Sequence, residues 1–186
     1  GNLSELRQLA DKNHKALPLS IQETTLRLAN SLGVKQKVKL MGSDHVQAPM
    51  AFGILKPVIL LPFSLVFQMN PRQLEAILAH ELAHIKRHDF AVNLLQSTLE
   101  ILFFYHPAFW WINHQVRNYR EHATDDRAIA IGIAPHDLAH ALATVVNHTR
   151  LNAPELSMAA HGPSFPTLER IQRILGYNKT ISGTHS

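Results

Sequence analysis

The sequence predicts an α+β fold, mainly helical, with one small antiparallel sheet ahead of a central helix. Three observations carry this. Apolar residues recur at helical spacing over most of the chain. Between Val38 and Pro62 the texture changes to short β-like runs punctuated by prolines. Asn70 followed by Pro71 then marks a clear helix start.

Taken in order, residues 3–14 and 19–32 read as helices. In the second, Ile21, Leu26, Leu28, Ala29 and Leu32 form a broad apolar side, and Gly33 supplies the stop. The runs "VKLMG", "APMAFGI" and "PVILLP" read as strands, and Pro49, Pro57 and Pro62 favour strand ends and edges. Asn70 caps a helix that opens on Pro71 and runs to about His88, with Leu74, Ile77, Leu78 and Ile85 as core contacts. A helix from about Phe90 to Tyr105 follows, ended by His106 before Pro107. The next runs from Pro107 to Ile131, with Gly132 closing it. Its expected core stripe is Phe109, Ile112, Val116, Tyr119 and Ala123. Further helices start after Pro135 and around Leu168–Leu175, and the tail from residue 177 reads as disordered. The reading is one domain over residues 1–176, with N-terminal helices to 35, the sheet at 36–62, site-bearing helices at 70–131 and C-terminal helices from 135.

Composition narrows the chemistry. The 186 residues are 46% hydrophobic and 17% charged, which is ordinary for a folded protein, and none is cysteine. Thiol catalysis, disulfides and cysteine metal sites are therefore excluded, and any metal must be held by His, Asp or Glu. The net charge is +4, but Lys and Arg are scattered, so no nucleic-acid partner is expected. The opening stretch is polar and does not read as a signal peptide. The most apolar region, Phe90 to Val116, is broken by Asn93, Gln96, Glu100, His106 and Pro107. A helix from Ala91 to Tyr105 would reach only about 22 Å, too short for a ~30 Å hydrocarbon core.

Two histidine pairs stand out, "HELAH" from His80 to His84 and "HDLAH" from His136 to His140. On a helix, residues four apart share one face, so two imidazoles can reach one ion. In the first pair Glu81 sits beside the ligands, placed to take a proton from a metal-activated water and pass it to a leaving amine. The second pair opens a helix directly after Pro135. Asp137 is shorter than Glu81 and has an ordinary purpose at a helix N-terminus, so this pair is read as structural.

A catalytic zinc site usually has three protein ligands and an open position. His88 is excluded as the third, because it lies about 12 Å along the same helix from His80. Glu121 in "RNYREHATDDRA" is the better candidate, with His106, His114, His122 and Asp126 competing. Asp125, one turn beyond Glu121, could accept a hydrogen bond from the second nitrogen of a liganding imidazole. For stabilising an oxyanion, His106, His114, His161 and Arg117 are all open. His106, Trp110 and Trp111 otherwise read as packing around the helix turn, with a membrane interface as the other option.

Four stretches resemble the BlaR/MecR-type membrane zinc metallopeptidases: "APMAFGILKPVILLP" (48–62), "LEAILAHELAHIKRHD" (74–89), "FFYHPAFWWINHQVRNYREHATDDRA" (103–128) and "FPTLERIQRIL" (165–175). They occur in that family's order. The resemblance implies a gluzincin-like protease domain with His80, His84 and Glu121 on one zinc ion and Glu81 as general base. It also implies a substrate-pairing edge strand somewhere in Met50, Ala51, Phe52, Gly53, Ile54 and Leu55. The family's protease domain lies between transmembrane helices and faces the cytoplasm. This chain has no such helices, so it is expected to be soluble as a fragment of a cell-membrane protein. A protein substrate is implied, such as a repressor or the protease itself. More distantly the chain is similar to the CaaX-prenyl and heat-shock membrane peptidases, whose Glu-x-x-Ala-Asp segment corresponds to "EHATD", with Thr124 in place of Ala. No stretch resembles a penicillin-binding sensor, so β-lactam binding is not carried over. A metal-binding signalling or scaffold domain, without turnover in isolation, is the alternative class.

Overall fold

A computed structural model describes residues 16–152 and 165–176. The expected helix over 3–14, His161 and the tail after residue 176 lie outside the described residues. The fold is α+β and mainly helical: α1 (Leu19–Leu32), β1 (Lys39–Ser43), β2 (Met50–Phe52), β3 (Val58–Pro62), α2 (Phe63–Gln68), α3 (Pro71–Lys86), α4 (Asp89–Leu102), α5 (Pro107–Ala130), α6 (Pro135–Asn152) and α7 (Phe165–Ile174).

The sheet is mixed rather than wholly antiparallel. Its order is β1-β3-β2, with β3 antiparallel to β2 but parallel to β1. The intervening residues carry the chain past β3's position to form β2, then return it to the centre in the direction of β1. Ile59, Leu60 and Leu61 of β3 are all buried, as a central strand covered on both faces requires. Pro57 and Pro62, just before and at the end of β3, leave its interior ladder intact. At the β2–β3 bend Gly53 has φ +93, and a Cβ there would stand 2.8 Å from the Lys56 carbonyl oxygen. The bend therefore requires glycine.

Helix α3 is the spine. Asn70 Oδ1 accepts from the Gln73 N–H at 2.9 Å, and Gln73 Oε1 accepts from the Asn70 N–H at 3.1 Å, a reciprocal capping box. Ala76, Leu78, Ala79, Leu82 and Ala83 are completely buried, and the alanines let neighbouring elements approach closely. Helix α1 packs against α3, tied by Arg27 to Glu75 at 2.7 Å and by Lys86 Nζ donating to the Gly33 carbonyl at 2.6 Å. Leu26 of α1 is 61% exposed, so the apolar side is narrower than its composition implies. Asn70→Ala should lower stability by about 1 kcal/mol, a fall of about 2–4 °C in the thermal midpoint. A melting curve that did not move would contradict this role for the cap.

Two further features depart from the sequence reading. The six-residue α2 was not anticipated, since a segment this short carries too little periodicity to read. The core stripe expected on α5 is also wrong. Ile112 and Tyr119 are 49% and 70% exposed, whereas the buried residues of α5 are Asn113, Thr124, Asp125 and Ala128. Only the second half of α5 packs into the body of the protein.

Candidate metal centre

Three helices bring the chemistry together. From α3 come His80 and His84, one turn apart, with ring centroids 4.7 Å from each other. The α4–α5 hairpin returns the chain so that α5 lies along α3 and presents Glu121. The imidazole Nε2 atoms are 3.2 Å apart. Glu121 Oε2 lies 3.6 Å from His80 Nε2, and Glu121 Oε1 lies 3.7 Å from His84 Nε2. Among the described residues, these three form the group of His, Cys, Asp or Glu donors that could hold a metal ion. A tetrahedral ion with bonds of roughly 2.1 Å has ligand edges of about 3.4 Å. The donor set fits.

The far sides of both imidazoles support the same conclusion. His84 Nδ1 is 2.8 Å from Asp89 Oδ2, and His80 Nδ1 is 3.1 Å from Asp125 Oδ1. Carboxylates at Nδ1 favour the Nδ1–H form and leave both Nε2 lone pairs facing one another. Two lone pairs and a carboxylate converging on one point would suit a cation between them, beside the Arg170 guanidinium that already lies 2.8 Å from Glu121 and 3.5 Å from His80 Nε2. Without an ion, a proton serves. Burial opposes protonation of His80, but the Asp125 and Glu121 carboxylates outweigh it and raise its pKa from 6.5 to about 9.

Arg170 of α7 braces this arrangement. Its Nε and Nη2 donate to Asp125 at 2.9 and 2.8 Å, and its Nη1 is 2.8 Å from Glu121 Oε2. That holds one oxygen of Glu121 and leaves Oε1 for an ion. Burial alone would push both carboxyls up, yet His80 and Arg170 hold Glu121 and Asp125 down at about 2. Asp89 is likewise held below its ordinary value, against burial, by His84 first and then Arg87 and Arg120.

A raised histidine contributes stability below pH 6.5 that is lost as pH climbs through about 9. Depressed carboxyls contribute stability that is lost as pH falls through about 2. An ion held by His80 would displace its proton, so uptake at pH 7 should release about one proton, and affinity should rise as pH climbs toward about 9. Zinc titration in weakly buffered solution with an indicator dye measures this. Release of no proton at pH 7 would contradict it.

Glu81 is buried at 8% exposure and faces the same cleft, a space of about 290 Å³ that also reaches Pro49, Ala51, Phe90 and Arg120. Of the strand candidates, Met50, Ala51 and Phe52 form β2 at the edge of the sheet, while Gly53, Ile54 and Leu55 lie in the bend beyond it. Ala51, Phe52, Gly53 and Ile54 border a small hollow beside His84. His106, His114 and Arg117 are not among the residues around the cleft. His114 pairs with Asn118, and Arg117 with Glu100. Among the described residues, Arg120 is a cation that lines the cleft. His136 and His140 stack at 4.3 Å on the exposed side of α6, and neither belongs to the donor group found among the described residues.

Asp89, Arg120 and Arg170 escaped the sequence reading. Asp89 follows His88, which adopts the left-handed region at φ 58 and turns α4 back toward His84. Arg170 lies 45 residues beyond Asp125. Asp89→Asn should weaken metal affinity by roughly 10–100-fold. A competition titration against a chelator tests this, and an unchanged affinity would refute it.

A His-Glu-x-x-His helix joined by a carboxylate from a later helix is the arrangement of a metallopeptidase. The profile of the BlaR1 peptidase M56 family matches residues 5–174, and the chain belongs to that family. It is 32% identical over 97 residues to the methicillin resistance mecR1 protein of Staphylococcus aureus (52% of this chain, 17% of that protein). It is 30% identical over 90 residues to the regulatory protein BlaR1 of Bacillus licheniformis (48% of this chain, 15% of that protein). Protease HtpX homolog 2 of Methanosarcina mazei is 40% identical over 65 residues (33% of this chain, 22% of that protein). These matches cover less than a quarter of each relative.

Proposed function

We propose that this chain is the catalytic domain of a zinc-dependent endopeptidase. The observation that carries the reading is the convergence of His80 Nε2, His84 Nε2 and a Glu121 carboxylate at 3.2–3.7 Å, with Glu81 in the same cleft. Two histidines and one glutamate with an open fourth position are a donor set for catalytic zinc. A bound zinc ion would acidify a water and polarise the scissile carbonyl. Glu81 takes the proton from the attacking water and delivers it to the leaving amine. Asp89, Asp125 and Arg170 hold the imidazoles and Glu121 in register. Arg120 offsets negative charge developing on the carbonyl oxygen. An extended substrate adds its backbone to the open edge of β2 at Met50, Ala51 and Phe52, with Gly53 to Leu55 shaping the end of the groove.

The biological setting is a membrane-embedded signalling peptidase, in which this domain faces the cytoplasm and cleaves a protein such as a repressor or a segment of itself. The regulatory naming of a relative supports the signalling part. No described helix is long and apolar enough to cross a membrane. The test is incubation of the chain with a peptide library and candidate repressors, with chelator, and with chelator followed by zinc. Cleavage that stops with chelator and returns with zinc is expected. Zinc binding without cleavage of any substrate would favour a scaffold role instead.

A further inference from the structure

Between the site and the tip of the α4–α5 hairpin the protein is turned inside out. The two arms meet through polar side chains. Gln96 Nε2 donates to Asn113 Oδ1 at 3.3 Å, Asn113 Nδ2 donates to Glu100 Oε1 at 2.9 Å, and Arg117 Nη2 donates to the same oxygen at 2.8 Å. Arg120 Nη1 closes the seam on Gln96 Oε1 at 2.6 Å. Gln96 and Asn113 are buried, while the apolar residues point outward. More than half of the large apolar side chains exposed among the described residues lie between Val92 and Tyr119. Ile101, Leu102, Phe104, Trp110 and Trp111 are each at least 60% exposed.

In water this is the unfavourable way round, since an apolar patch this large is usually covered. In a lipid phase it is the favourable way, because polar groups must then be satisfied internally and apolar ones face out. We propose that the α4–α5 hairpin inserts into the interfacial region of a lipid bilayer, anchoring the peptidase domain through this chain's own residues.

Three features select lipid over a protein partner. Consecutive helical residues point about 100° apart, so Ile101-Leu102 and Trp110-Trp111 cover more than one face of each arm. A flat protein surface would cover one face, whereas lipid surrounds all of them. Tyr105, Trp110 and Trp111 cluster near the tip, and Tyr and Trp are the residues enriched where hydrocarbon meets headgroups. Finally, Lys86, Arg87 and Arg117 lie along the hairpin and its base against Asp89 and Glu100, and each of these acids is paired with an arginine. The balance suits anionic headgroups. At about 21 Å for its 14 residues, α4 is too short to span, so the hairpin enters and leaves on one side.

The chain supplies its own reporter, since Trp110 and Trp111 are its two tryptophans. The full 186-residue chain would be mixed with vesicles of phosphatidylethanolamine and phosphatidylglycerol, with plain and with bromine-labelled acyl chains. The expected result is a blue shift of tryptophan emission, quenching by the brominated chains and co-flotation with the vesicles. Ile101→Glu and Phe104→Glu, which keep both tryptophans, should each reduce partitioning at least about tenfold. Zinc binding by these variants should be unchanged, which shows that they remain folded. The proposal is overturned if emission and flotation do not respond to vesicles, or if the variants partition like the wild type. It is also overturned if the blue shift follows protein concentration without lipid, since a second copy would then cover the hairpin. None of these readouts depends on peptidase activity.

Discussion

Glu81→Gln should reduce peptide hydrolysis by roughly 10²–10⁴-fold, the usual contribution of a positioned general acid–base group, while the metal content stays at the wild-type level. The substitution keeps the size and polarity of the side chain and removes its capacity to accept a proton from water. Glu81 is next to His80 in sequence but is not one of the three converging donors, so activity and metal binding should separate. The check is a rate measurement on a cleaved peptide, paired with metal analysis of the same preparation. Turnover at the wild-type rate would remove Glu81 from the mechanism. Loss of the metal along with activity would mean that Glu81 acts through the structure of the site instead.

Arg170→Met carries the largest expected effect on stability. The guanidinium is 10% exposed and engages Asp125, which is fully buried, together with Glu121. Methionine preserves much of the volume and leaves Asp125 without its two-point partner. Removing one member of a buried ion pair costs about 3–5 kcal/mol, which is a fall of the order of 10 °C in a chain of this size. The measurement is thermal unfolding of the metal-free protein near neutral pH. A midpoint within a degree of wild type would show that α7 is not coupled to the centre in this way. With zinc present the loss should be smaller, because an ion on Glu121 and His80 substitutes for part of the positive charge withdrawn.

The sequence made the local parts of this centre legible and left its distant supports hidden. The His80–His84 pairing could be read because four-residue spacing on a helix has one geometrical meaning, and Asn70-Pro71 fixed where that helix starts. Glu121 depends on a hairpin returning the chain, so spacing alone left His106, His114, His122 and Asp126 in competition, and a family resemblance chose among them. Asp125 could be read as a partner because it lies one turn from Glu121. Asp89 depends on the left-handed turn at His88, and Arg170 on how α7 docks. Neither leaves a pattern in the chain.

The α5 stripe failed for a different reason. Periodicity reports that a helix has an apolar face without saying what meets it. Ile112 and Tyr119 repeat correctly, yet they face away from the polar seam that joins the arms. The sheet was legible as a sheet, but a single sequence does not tell β1 and β3, joined through an edge strand, from a simple meander.

The measurement closest to the central claim is zinc analysis of the purified, reconstituted chain, combined with zinc-edge X-ray absorption of the wild type and of His80→Ala. One zinc per chain is expected, coordinated by two imidazoles and oxygen donors, and His80→Ala should lose it. A chain that takes up no zinc, or that keeps the same ion with the same shell in His80→Ala, would contradict a centre built from His80, His84 and Glu121.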